Sequence, residues 1–149
     1  MLLGMKKMII SNHAYERYKE RVLSHRNINH EELSQQDMHR YINNEIKDRN
    51  IIEIISFGNK FKFVFTKYHC EYRFEWDDRQ KTWVMLTVIR YKRVLPHLEA
   101  SSMEDLLENG DDIERGTRTA IEIRKYQKEL WDKNENNEKA LVSDITRYK

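Results

Sequence analysis

The sequence predicts an α+β protein with two N-terminal helices, an antiparallel sheet of about four strands and a helical C-terminal arm. Apolar residues recur every three or four positions in the first fifty residues, which is typical of helices. Between residues 51 and 92 they alternate or run together, as they do in strands. Helical patterns return after residue 99. We therefore expect residues 1–99 to form an α+β core and residues 100–149 to form the arm.

Capping residues and apolar stripes predict the two N-terminal helices. Ser11 can begin a helix that runs to about His25, because its hydroxyl can accept hydrogen bonds from first-turn amides. A second helix is expected from Gln35 to Arg49. The two stripes consist of Ala14, Tyr18 and Val22, and of Met38, Tyr41, Ile42 and Ile46.

Four segments have the composition and alternation of strands. They are Ile51–Phe57, Lys60–Thr66, Cys70–Trp76 and Thr82–Lys92. The last is apolar on both faces up to Arg90, which predicts a central strand.

Alternation also predicts which side chains share a face of the sheet. The aromatic rows Phe61/Phe63/Phe65 and Tyr72/Phe74/Trp76 look like core, whereas Glu71, Arg73 and Glu75 are expected to point outward. A register that pairs Phe63 with Phe74 would place Lys62 opposite Glu75, and both pairs would be favourable.

The C-terminal arm is expected to consist of separate helical pieces. Pro96 ends the sheet region, and Ser101 begins a short helix that Gly110 can end. A longer helix is predicted over Asp111–Trp131, and Ala140–Tyr148 is a short amphipathic end.

Composition narrows the class of protein. The single cysteine, Cys70, excludes an intramolecular disulfide and fits a reducing compartment, so we expect a cytoplasmic protein. No run of 18 apolar residues is present, so no membrane span is expected. Residues 1–99 carry 18 Lys/Arg and 13 Asp/Glu, whereas residues 100–149 carry 9 and 12. A basic core favours a polyanionic partner, although ordinary surface variation explains the same numbers.

Three polar residues lie four positions apart on the first helix. His13, Arg17 and Arg21 therefore share one helix face. Arginine forks match phosphate geometry, and a histidine can transfer protons near neutral pH. The alternative is a solvated face on which Glu16 and Glu20 pair with the arginines.

A second basic cluster follows the last strand. Arg90, Tyr91, Lys92 and Arg93 could hold a phosphodiester and stack a base, or could simply mark the point where the chain leaves the core. Arg73 has a glutamate on either side along its own face, which favours a structural ion-pair ladder.

Neither a metal site nor a cofactor site is expected. The histidine spacings match no common zinc motif, and one cysteine cannot build a multi-cysteine site. The four glycines do not form a phosphate-binding loop.

The opening of the chain resembles a known group of proteins. The segment from Ile9 through Val22 contains Ser11, His13, Ala14, Arg17 and Arg21 in the pattern S-x-H-A-x-x-R-x-x-x-R. This pattern resembles the start of small bacterial and phage proteins related to the RelE/BrnT toxin group. The likeness extends over residues 9–94, includes a T-V-I strand core at residues 87–89, and leaves out the C-terminal arm.

The resemblance implies a compact sheet with two N-terminal helices. In active relatives the sheet holds RNA through basic residues, and cleavage uses the 2′-hydroxyl of the RNA itself. Only His13, Arg17 and Arg21 match the motif. The greater length, the modest basic excess and the acidic arm depart from such toxins and count against nuclease activity. The residues that are candidates by position on the sheet are Arg73, Arg90, Tyr91 and Lys92.

Two classes of function follow. The first is an RNA-directed protein, either a metal-independent ribonuclease or an RNA binder, in which His13 or Tyr91 moves protons and the arginines neutralise phosphate. The second is a non-catalytic interaction protein, such as a phage inhibitor of a host or defence protein, that binds a partner or a second copy of itself through the arm with Leu130 and Trp131. A third alternative is a small-ligand sequestering protein that holds a nucleotide signal with the same basic row. A basic row in a concave, partly buried cleft favours RNA or nucleotide, and a flat solvated row favours interaction through the arm.

Overall fold

The computed structural model describes residues 8–29, 33–91 and 116–133. Over these residues the fold is α+β, as predicted, with a five-strand sheet in place of four strands. The helices are α1 (Asn12–Tyr18), α2 (Gln35–Glu45) and α3 (Thr117–Lys133), and the strands are β1 (Met8–Ile10), β2 (Ile51–Phe57), β3 (Phe61–Thr66), β4 (Cys70–Asp77) and β5 (Thr82–Arg90). Predictions for Lys92, Arg93, Pro96, the helix from Ser101 to Gly110 and the segment Ala140–Tyr148 lie outside the described residues.

The sheet has the order β1-β5-β4-β3-β2 and is antiparallel except where β1 joins β5. The parallel pairs run from Met8 opposite Trp83 to Ile10 opposite Met85. Three residues are too few for alternation to become visible, so the sequence did not predict β1. Strand β1 pairs only with residues Trp83 to Met85 of β5.

Helices cover both faces of the sheet. The N-terminal helices pack on the first face, which buries the predicted stripe of α1 together with Tyr72 and Phe74. Of the predicted α2 stripe, Met38, Ile42 and Ile46 are buried there. Helix α3 packs on the second face through Ala120, Ile121 and Trp131, over the Phe61/Phe63/Phe65 row. The long helix of the arm is thus part of the same packed body as the sheet. No helix of the described residues is long and apolar enough to cross a membrane.

The pairing of β3 with β4 differs from the predicted register by one residue. Phe63 lies opposite Arg73, and Lys62 lies opposite Phe74. The cause is the three-residue turn Lys67–His69, in which the His69 amide donates to the Thr66 carbonyl over 3.1 Å. With three turn residues, odd-numbered residues of β3 lie opposite odd-numbered residues of β4. The phenylalanine row therefore shares its face with the row of charged residues.

Helix α1 does not continue regularly to His25. It passes into a π-helical turn over Lys19–Leu23, where the Ser24 amide donates to the Lys19 carbonyl over 3.0 Å. The predicted stripe of Ala14, Tyr18 and Val22 is fully buried nonetheless. On α2 the prediction for Tyr41 was wrong, because its side chain is 45% exposed.

The docking of α3 gives a stability prediction. The Trp131 ring meets the Phe57 and Phe61 rings at centroid distances of 5.7 and 6.3 Å. We expect Trp131→Ala to lower the free energy of unfolding by about 2 kcal/mol, less than the ~3–5 kcal/mol of a fully buried tryptophan. The matched control, Tyr41→Ala on exposed α2 surface, should change it by less than about 0.5 kcal/mol. Urea unfolding measures both, and equal effects would contradict the docking of α3.

Candidate functional site

The open edge of β5 positions the first helix. Beyond Met85 the strand has left its partner β1, and side chains take over its carbonyl groups. The Ser11 hydroxyl donates to the Leu86 carbonyl over 3.3 Å, and the Arg21 guanidinium donates to the Val88 carbonyl over 2.7 Å. Residues at the two ends of the basic motif therefore hold the helical segment against the sheet edge.

The predicted row of His13, Arg17 and Arg21 is half-buried along this edge. Arg17 donates to Glu20 over 2.7 Å, so the alternative of a helix-surface ion pair holds for this arginine. The arginine side chain keeps 33% of its surface exposed, and such partly exposed pairs contribute little to stability. Arg17 thus remains able to contact a ligand, while Arg21 is also a structural residue.

The charge state of His13 depends on its neighbours. Burial lowers the pKa of the His13 imidazole, and the positive charges of Arg17 and Arg21 lower it further, while Glu20 acts in the opposite direction. The neutral imidazole, which can accept a proton, is therefore favoured at neutral pH.

Further cations lie at the same end of the first face. Arg90 lies opposite Cys70 in the β4–β5 ladder, two residues beyond the Val88 carbonyl that Arg21 holds. Arg26 follows the π-helical turn, and its guanidinium carbon lies 5.4 Å from the centre of the Tyr68 ring. We define the basic end as Arg17, Arg21, Arg26, Lys67 and Arg90.

Two buried side chains, Cys70 and Glu45, lie beneath the basic end and interact with its arginines. Burial raises the pKa of the Cys70 thiol to about 12, the charge of Glu45 adds to the increase, and the charges of Arg26 and Arg90 oppose it. Glu45, only 5% exposed, accepts hydrogen bonds from Arg26 and Tyr72 and, over 3.3 Å, from Tyr18.

The charges of the basic end do not cancel. Glu20 faces Arg17 and buried Glu45 faces Arg26. Within the described part of the chain, no ion pair joins Lys67 or Arg90 to a carboxylate. Among the residues that the structure describes, the basic end therefore has a positive excess.

Two predicted site residues lie elsewhere. Arg73 and Tyr91 are fully buried on the second face, beneath α3. Arg73 Nε donates to Glu71 over 2.5 Å, and the Tyr91 hydroxyl donates to the same carboxylate over 2.8 Å. The prediction that Glu71 and Arg73 point outward was wrong, because alternation gives the face but does not show that a helix covers it. The prediction that Arg73 pairs structurally with a glutamate was correct.

Arg124 of α3 completes this buried network. Its guanidinium Nε lies 3.3 Å from Glu71. The guanidinium carbons of Arg73 and Arg124 lie 5.0 and 5.4 Å from the centre of the Phe63 ring. Burial raises the pKa of Tyr91 well above its ordinary value, and the charge of Glu71 raises it further. In this arrangement neither Tyr91 nor Arg73 can contact a substrate.

Several residues of the basic end and of the buried Glu71 network were not predicted from the sequence. Arg26, Glu45 and Arg124 belong to ordinary charged helix surface in the sequence and carry no distinguishing signal. Tyr68 did carry one, because an aromatic residue stands between Lys67 and His69 in a predicted turn. No group of three metal-ligating side chains occurs among residues 8–29, 33–91 and 116–133. Comparison with known protein families, with curated proteins and with solved structures finds no match to this chain.

The buried network predicts unequal effects for two glutamates that face α3. Glu71→Gln should lower the free energy of unfolding by about 3 kcal/mol or more, since two buried guanidinium groups lose this carboxylate. Glu53 pairs with Lys125 over 3.3 Å on more exposed surface, and Glu53→Gln should cost less than about 1 kcal/mol. Chemical denaturation of the two variants tests the difference, and a small effect at Glu71 would show that the network contributes little.

The raised pKa of the Cys70 thiol predicts chemical protection. Iodoacetamide at mildly alkaline pH should leave native Cys70 unmodified and should react rapidly once urea unfolds the chain. The unfolded thiol ionises near pH 9.0 and the folded thiol near pH 12, so unfolding becomes easier as pH rises through this range. Cys70→Ala should flatten the first part of that decline. Fast alkylation of the folded protein would contradict the burial.

Proposed function

We propose that this chain binds RNA at the basic end without a metal ion. The observation that supports the proposal is the excess of guanidinium and ammonium groups at one end of the sheet, where Lys67 and Arg90 have no carboxylate partner in the described chain. Guanidinium forks suit phosphate oxygens, and backbone phosphates supply most of the affinity in such complexes. The half-buried state of the His13–Arg21 row also fits ligand binding better than a flat solvated surface.

Binding is favoured over cleavage. A proton-transfer mechanism would need two accessible groups, and Tyr91 lies beneath α3 with a pKa too high for ionisation near neutral pH. His13 is left as the one predicted proton carrier near the surface. The resemblance of the opening motif to RelE/BrnT-related proteins agrees with RNA as the partner class.

The contacts of α3 count against the interaction-protein alternative. Trp131, which favoured a partner surface, packs on Phe57 and Phe61 of its own sheet. Ala120 is buried in the same cluster, and Ile121 is partly buried against it. This helix therefore uses its apolar face within the chain.

A charge-matched pair of variants tests the proposal. Arg17→Gln/Arg90→Gln should weaken binding to a mixed single-stranded RNA pool in EDTA. It should also reduce the slope of log affinity against log salt by about 1.4, since each phosphate contact on a single strand contributes about 0.7. Arg118→Gln/Lys128→Gln removes the same charge from α3 on the opposite face and should leave affinity nearly unchanged. Fluorescence anisotropy over a salt series measures both.

The outcomes separate the alternatives. Equal weakening by both double variants would mean that net charge alone attracts RNA, and no binding by the natural protein would reject the proposal. A denaturing gel of the same samples reports cleavage, which would have to disappear in His13→Ala. Competition by free nucleotide at equal phosphate concentration would instead identify a nucleotide site.

A further inference from the structure

An aromatic ring is exposed at the basic end. Tyr68 lies in the turn between β3 and β4, and 39% of its surface is exposed. The turn lies beside the end of β5, because the Tyr91 amide donates to the His69 carbonyl over 2.8 Å. The ring therefore stands next to the cations that the proposed function assigns to phosphate binding.

The backbone that carries this ring is fixed at several points. The Lys67 amide donates to the Asn50 carbonyl over 2.8 Å, and the His69 amide closes the turn onto Thr66. His69 adopts the left-handed conformation at φ 63°, which is typical of the last residue of a three-residue hairpin turn. The Cys70 thiol donates to the Tyr68 carbonyl over 3.6 Å. A ring on such a turn is positioned in advance, so little conformational freedom is lost when a ligand contacts it.

Two cations lie over the Tyr68 ring. The Arg26 guanidinium carbon lies 5.4 Å and the Lys67 ammonium nitrogen lies 5.5 Å from its centre. Arg26 is tied to buried Glu45, which fixes the guanidinium in place, whereas Lys67 is on exposed surface. An aromatic ring with cations close to it is the combination that single-strand binders use to stack a base and hold the adjoining phosphates.

From this arrangement we infer that Tyr68 stacks a nucleobase, and that the ligand of the basic end is single-stranded RNA with its bases unpaired. The inference rests on the proposed function and adds the base to a site otherwise defined by phosphate. In a duplex the bases are stacked on each other and present no free face to this ring.

Strands of equal charge with and without bases test the inference. We would measure binding of an oligoadenylate RNA and of an abasic ribose-phosphate strand of the same length by anisotropy with the full chain. The natural protein should bind the base-bearing strand about tenfold more tightly, within the range known for one stacked base. Tyr68→Phe keeps the ring and should keep this ratio. Tyr68→Leu keeps apolar bulk without a ring and should bring the ratio to about one, with an unchanged salt slope because the phosphate contacts remain.

Each alternative result has a distinct meaning. Binding of both strands with equal affinity by the natural protein would overturn base stacking while leaving phosphate recognition intact. An unchanged ratio in Tyr68→Leu would overturn the role of this ring. If the natural protein bound neither strand, the inference and the proposed function would fall together. Circular dichroism and thermal unfolding show that each variant is folded, and because Tyr68 is on the surface we expect little change in either.

Discussion

The packing of the C-terminal helix on the sheet depends on the buried interactions of the Glu71 carboxylate. This carboxylate lies on β4 and joins Arg73 of its own strand, Tyr91 at the end of β5 and Arg124 of α3. All of these groups are almost fully buried. Charged groups tolerate burial only when their partners are in place, so the C-terminal helix and the sheet must be correctly packed together. The network thereby closes the second face and makes α3 part of the folded core.

Because α3 covers the second face of the sheet, arginines on the two faces have different roles. Arg73 and Arg124 stabilise the packing of helix on sheet, whereas Arg17 and Arg90 remain partly exposed at the other face. The opening motif divides in the same way. Ser11 and Arg21 satisfy two carbonyls of β5 beyond its ladder with β1, at an edge that no other described strand pairs. Such an edge would otherwise invite pairing with another chain. Ser11 and Arg21 of the opening motif thus have structural roles, and His13 and Arg17 are the motif residues available to the proposed ligand.

The sequence predicted the elements well because local periodicity determines them. The bounds of β2, β3, β4 and β5 agree with the prediction to within about two residues, and the buried stripe of α1 was correct. The sequence-based predictions were wrong where the structure depends on contacts between distant residues or on the number of residues in a turn. Three turn residues instead of four reverse which rows share a face, and outward-facing Glu71 and Arg73 become core only because α3 arrives from far along the chain. The basic row was found from spacing alone, whereas Arg26 and Tyr68 came together only through folding.

The two faces contain similar buried groups with different consequences for ligand binding. Each has a glutamate that accepts from tyrosine hydroxyls and arginine, namely Glu45 on the first face and Glu71 on the second. The difference is Arg26, whose side chain is 33% exposed and therefore connects the buried carboxylate to the surface. Arg26 cannot turn away toward a ligand without leaving Glu45 buried and short of a partner, so it is held in a fixed orientation beside Tyr68. In the proposed complex with RNA, Lys67 and Arg90 are therefore the side chains that adjust to the path of the RNA strand.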